Sequence, residues 1–225
     1  MKNNTRNKYL DLMGIDVWLS KDRVAQNNAN DVSQSVPVIS DTNWETLQQQ
    51  VSNCTFCALS NTRTNVVFGV GNRTAEIMLV GEAPGANEDL QGEPFVGRGG
   101  MLLNSMLQAI GMERASVYIA NILKCRPPNN RDPLPQEVAL CTPYLQQQIA
   151  LIQPKVIIAI GRIAAQFLLN TDESMGRLRG KIYNYGALHT PLFVLYHPAY
   201  LLRSPREKSK AYDDLIFIQN FLQKK

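Results

Sequence analysis

Four short segments of this chain are apolar along their whole length, and stretches of helical periodicity separate them. The segments are Glu76-Ile-Met-Leu-Val-Gly81, Val117-Tyr-Ile-Ala-Asn121, Lys155-Val-Ile-Ile-Ala-Ile-Gly161 and Pro191-Leu-Phe-Val-Leu-Tyr196. The intervening stretches, Gly99–Ile110, Gln136–Leu151, Arg162–Leu169 and residues 207–223, repeat apolar positions every three or four residues. A strand with no polar side must be covered on both faces, which implies a parallel sheet with helices above and below it. The expected fold is α/β: a three-layer α/β/α sandwich around a short, mainly parallel four-stranded sheet. Ligands of such folds bind beyond the carboxyl ends of the strands. Three of those ends carry unusual residues: the turn Gly81-Glu82-Ala83-Pro84-Gly85, Asn121, and His197.

The first 41 residues read differently. Tyr9, Leu10, Met13, Val17 and Trp18 fit one short amphipathic helix over residues 8–20. AQNNANDVSQSVPVIS then has the composition of a flexible linker. The folded domain is expected over residues 42–225. The leading helix leaves open docking onto that domain or recruitment of a protein partner. At 225 residues and 44% hydrophobic the chain can bury one good core, and a monomer is expected. Its +4 charge is modest, but Arg126, Arg131, Arg162, Arg177, Arg179, Arg203 and Arg206 all fall in the second half. A basic face of that kind attracts a polyanion.

There are four cysteines, Cys54-x2-Cys57, Cys125 and Cys141. Four thiolates are a full ligand set for one iron–sulfur cluster or one zinc ion, and residue type alone leaves both open. Disulfides compete with that reading. However, the N-terminus lacks the apolar stretch of an export signal, and no run of about 18 apolar residues offers a membrane span. A cytoplasmic location, at the nucleoid in use, and metal ligation follow as expectations.

Taken together, GEAPGANED (81–89), QGEPFVGRGG (91–100), NILKCRPPNNR (121–131) and HPAYLLR (197–203), with these cysteines, resemble the family 4 uracil-DNA glycosylases, the iron–sulfur members of their superfamily. The likeness covers roughly residues 50–222 and keeps the family's order. It implies a monofunctional enzyme that flips uracil out of DNA and hydrolyses its N-glycosidic bond. An abasic site remains, and base excision repair begins. It also implies one structural 4Fe–4S cluster on Cys54, Cys57, Cys125 and Cys141, and uracil-containing DNA as the partner. A non-catalytic uracil- or DNA-binding iron–sulfur protein of the same superfamily is the alternative. Covalent trapping on DNA, known in a related branch, needs a histidine in the loop after the second strand. Lys124–Pro133 contains none.

The chemistry assigns roles within that resemblance. A glycosylase extrudes its base and reads the Watson–Crick edge. The Asn121 carboxamide can accept from uracil N3–H and donate to O4, while cytosine mispairs at both positions. Phe95 stacks on the ring, and Gly81 opens the loop that receives it. His197, one of two histidines, donates to O2 as negative charge develops on the departing base. Ala83 stands where the best-known branch of the superfamily carries a water-positioning aspartate, so Glu82, Asn87, Glu88 and Asp89 are the candidates for that task. Gly85 leaves room beside the uracil C5 edge. In HPAYLLR, the resemblance makes Leu201 the wedge that fills the gap left by the flipped base, and Arg203 a phosphate contact; the competing reading, on helical spacing, has one or both leucines begin a helix and face the core.

Overall fold

The computed structural model describes residues 43–223. The helix expected over residues 8–20 and the linker after it lie outside the described residues. Among those described, no helix is long and apolar enough to cross a membrane.

The chain enters through helix α1 (Trp44–Ser52), whose first turn is capped by the Asn43 side chain accepting from Thr46 N at 2.9 Å. The elements that follow are β1 (Val70–Gly71), β2 (Ile77–Gly81), α2 (Ala86–Gln91), α3 (Arg98–Ala109) and β3 (Tyr118–Asn121). Next come α4 (Pro135–Ile152), β4 (Val156–Ile160), α5 (Arg162–Leu169), α6 (Met175–Leu178), β5 (Tyr183–Tyr185) and β6 (Thr190–Leu195). Helices α7 (Pro198–Arg203) and α8 (Lys208–Gln223) close the sequence of elements.

The sheet has six strands in the order β1-β3-β2-β4-β6-β5. The expected four-stranded parallel sheet is its centre: β2 pairs in parallel with both β3 and β4, and β4 with β6. The count of four is corrected by two short edge strands, β1 and β5, which both run antiparallel to their neighbours. Neither edge is apolar throughout, so neither shows in a search for doubly covered strands.

Alternation along the central strands divides the core in two. Leu79, Ile119, Ile158 and Phe193 face one side, where α3, α7 and α8 supply Leu103, Leu107, Leu201 and Leu215. Met78, Ala120, Ile157 and Leu192 face the other, against Leu145 of α4 and Ala164, Ala165 and Leu168 of α5. The three-layer arrangement is thus as expected from the sequence. A third cluster packs Leu47 and Val51 of α1 on Phe68 and Tyr144, with Cys54 and Cys141 beside them. A fourth joins Leu59, Leu123 and Cys125, with Cys57, Cys141 and Ala83 against them.

Candidate active site

The carboxyl ends of β2, β3, β4 and β6 open onto one groove of about 960 Å³. Glu82, Ala83, Phe95, Asn121, His197 and Arg203 all line it. The segments that resemble a glycosylase in sequence therefore meet in space.

At the centre of the groove is a bare Cα. A Cβ placed on Gly81 would fall 2.3 Å from Asn121 Oδ1 and 2.8 Å from Phe95 Cζ. Glycine is needed here for proximity, because the carboxamide and the ring close over the strand end from two sides. Asn121 ends β3 and is 2% exposed, yet its Oδ1 has no hydrogen-bond partner. No group of the protein donates to this buried acceptor, and leaving it unpaired costs about 1–3 kcal/mol; a ligand N–H would satisfy it. Below it, the buried Lys124 Nζ donates to the Asn121 carbonyl at 2.8 Å and to Gln148 Oε1 at 2.6 Å. Gln148 in turn donates to Phe68 O and to the Tyr118 hydroxyl. This network holds the strand end that presents Asn121.

His197 follows β6 and caps α7, its Nδ1 accepting from Ala199 N at 3.1 Å. An Nδ1 used as an acceptor carries no proton, so the neutral ring bears its hydrogen on Nε2. Burial first, then the nearby Arg203 charge, push the imidazole down to about 4 against a smaller opposing pull from Glu88. At neutral pH it is an uncharged N–H donor. Its ring centroid lies 5.6 Å from that of Phe95 at a tilt of 31°. Close packing under the histidine uses Gly161 (φ +93°) at the end of β4, where a Cβ would come within 3.0 Å of His197 Cβ.

The candidates for a water-positioning acid separate cleanly. Asp89 is buried and accepts from Thr64 N and Asn65 N, so it fixes a loop and is withdrawn from that task. Glu88 Oε1 accepts from Val96 N at 3.1 Å and Gly97 N at 3.2 Å. Asn87 is exposed on the groove rim beside Gly97. Glu82 lines the groove, where burial and the neighbouring Asp132 push it up to about 6 despite the opposing Arg162 charge. Ala83 reaches the groove on one side and packs on the cluster containing Leu123 and Cys125 on the other.

One expectation is overturned. Leu201 is 1% exposed and sits in the core with Leu103 and Phe193, so it is no wedge. Helix α7 explains this: His197, Tyr200 and Arg203 recur every three residues and face the groove, which turns Leu201 inward. Arg203 remains on the groove, exposed. His189 lies on the β5–β6 turn, exposed and away from the groove.

The four cysteines are free thiols and line a second, small cavity together. Arg63 Nη1 donates to Cys125 Sγ at 3.1 Å and Lys124 N to Cys141 Sγ at 3.3 Å. Among the described residues, no group of three or more His, Cys, Asp and Glu converges as it would on one ion. Motif reading did not assign the supporting roles of Lys124 and Gln148. The one sequence signal available was a lysine inside NILKC, flanked by apolar residues.

The parallel centre of the sheet, whose strand ends offer an unmet carbonyl, an aromatic face and an uncharged imidazole to one slot, suits a planar heterocycle. Residues 68–217 match the family described as the Uracil DNA glycosylase superfamily, and this chain belongs to that family, in its type-4 branch. It is 46% identical over 183 residues to a type-4 uracil-DNA glycosylase of Archaeoglobus fulgidus, spanning 79% of this chain and 92% of the relative. With the type-4 uracil-DNA glycosylase of Thermotoga maritima it shares 42% identity over 185 residues, 80% of this chain and 95% of the other. A type-5 uracil-DNA glycosylase of Thermus thermophilus is 32% identical over 118 residues, 46% of this chain and 53% of the relative. The resemblance read from the four motifs is borne out.

Proposed function

We propose that this chain excises uracil from DNA, hydrolysing the N-glycosidic bond of a flipped-out nucleotide to leave an abasic site for base excision repair. The observation that carries the reading is the buried, unpartnered Oδ1 of Asn121 at the floor of the groove. Uracil N3–H satisfies it, and the Asn121 amide donates to O4. Cytosine has a bare N3 and an amino group at those positions, so it would bury two mispaired groups at about 1–3 kcal/mol each. Phe95 stacks on the ring, a contact worth roughly 1–3 kcal/mol per base.

As the bond to C1′ lengthens, electrons pass to the base and the sugar becomes oxocarbenium-like. The neutral His197 donates from Nε2 to O2, where negative charge accumulates, and does not need to surrender its proton. Water then attacks C1′. Glu82 is the acid of the groove with the perturbed titration, and ionised it orients that water and takes up its proton. The arginines on the rim, Arg98, Arg131, Arg162 and Arg203, suit a phosphate backbone.

The four cysteines fit a 4Fe–4S cluster. They share one cavity, and two of their sulfurs already receive N–H donors, as thiolate sulfurs of such clusters do. When bound, the group supplies structure: it ties the segment after α1, the loop after β3 and helix α4 together beneath Ala83.

The decisive assay uses matched oligonucleotides carrying uracil, thymine or hypoxanthine, without divalent metal. Free uracil should be released from an unbroken strand, and a His197→Ala, Asn121→Ala double variant should release none above background. Full activity in that variant, or strict dependence on a divalent ion, would sink the reading. For the cluster, anaerobically purified protein should be brown. Cys125→Ser should lose the colour and melt at a lower temperature in the same preparation; a colourless protein of unchanged stability would refute it.

A further inference from the structure

The wall of the base slot is held in a backbone conformation that its residue type disfavours. Phe95 has φ +54°, the left-handed region that side chains bearing a Cβ seldom occupy. Its buried ring faces His197 and the bare Gly81. A ring carried on such a turn stays in place only if the surrounding structure over-determines the backbone.

Three contacts do this. Arg114 Nη2 donates to the Pro94 carbonyl at 2.6 Å, and Nη1 donates to the Phe95 carbonyl at 3.3 Å. On the other side of the turn, Glu88 accepts from the amides of Val96 and Gly97. The Phe95 carbonyl is pressed onto α3 at Gly100, where a Cβ would lie 1.7 Å from that oxygen. The guanidinium is anchored in turn by Asn104 Oδ1 of α3 at 3.3 Å. Arg114 itself sits in the single helical turn Arg114–Ser116 that leads into β3, the strand ending at Asn121. One planar group thus spans the aromatic turn and the approach to the carboxamide strand.

We propose that Arg114 is a positioning residue for uracil: its guanidinium holds the Pro94–Phe95 turn so that the Phe95 ring stands in its stacking place before substrate arrives. A fork with several donors in fixed geometry suits this task, and a lysine reproduces the charge but not the paired carbonyl contacts. The inference rests on the stacking role given to Phe95 above.

The test is a double-mutant cycle read by single-turnover uracil release, with Arg114→Met, Phe95→Ala and the pair. Arg114→Met should lower kcat/KM by about tenfold to a hundredfold, the scale of a sub-ångström to ångström misplacement. It should also weaken inhibition by free uracil. In the Phe95→Ala background the same change should cost nothing further, because the ring it positions is gone. Arg114→Lys should recover part of the loss. The proposal is overturned if Arg114→Met leaves kcat/KM unchanged, or if its factor persists undiminished without the Phe95 ring, which would mark a general loss of stability. If Arg114→Met does not fold, Arg114→Lys takes its place in the cycle and is read the same way. Should Phe95→Ala alone keep full activity, the stacking role fails and this inference falls with it. A Phe95→Ala defect combined with an additive Arg114 effect overturns the inference alone.

Discussion

At the scale of single residues, the groove holds two groups displaced from their usual titration in opposite senses. Glu82 is raised to about 6, chiefly by burial, and His197 lowered to about 4, also chiefly by burial. An acid raised to about 6 is neutral below that pH, and a base lowered to about 4 is already neutral above it. Uracil release should therefore rise with unit slope as pH climbs through about 6, then stay level through 7 and 8 with no histidine limb. Glu82→Gln should flatten the acidic limb and lower the plateau by about a hundredfold or more. A limb that survives this substitution would remove Glu82 from the water-positioning role. Asn121 and His197 were legible in the sequence because each sits directly at the end of an apolar strand, where topology concentrates ligand contacts. The titration of Glu82 was not legible, since it depends first on burial and then on Asp132 and Arg162, all of which only the folded loops supply. Asp89 looked as available as Glu82 until its partners Thr64 and Asn65 were known.

At the scale of elements, the end of β2 is where side chains crowd the slot most directly, on Gly81. Gly81 has an ordinary backbone conformation, so Gly81→Ala should fold normally while its methyl meets Asn121 Oδ1 and the Phe95 ring. We expect a melting temperature within a few degrees of the parent and uracil release lowered by about a hundredfold. Near-normal release with alanine would show that the slot is looser than these distances say. The four parallel strands could be read from sequence because burial on both faces leaves an unbroken apolar run. The edges β1 and β5 could not, being two and three residues long and half exposed. At helix α7 the competing reading, one or both leucines beginning a helix and facing the core, is the one the structure shows. Six residues are too short for periodicity to declare itself, and without the helix Leu201 passed for a surface wedge. The start of α1 went unread in the sequence, although Asn43 is a capping residue followed by Trp44, Leu47 and Val51 at spacings of three and four.

Across the whole molecule, four arginines meet at the groove, interleaved with the acids Glu82, Glu88 and Asp132. Arg98, Arg131, Arg162 and Arg203 border the groove, although the net charge is only +4. The logarithm of kcat/KM should fall linearly with that of salt concentration. Arg203→Ala should reduce the slope by about 0.7–0.9, the share of one phosphate contact, and leave the preference for uracil over thymine intact. An unchanged slope would place Arg203 off the DNA.

Strand order has a temporal side as well. The parallel centre of the sheet is completed only by β6, which pairs with β4 and leads into His197. Every copy emerging from the ribosome therefore waits for the same late strand to gain both Phe193 and Leu195 of the core and the imidazole of the groove.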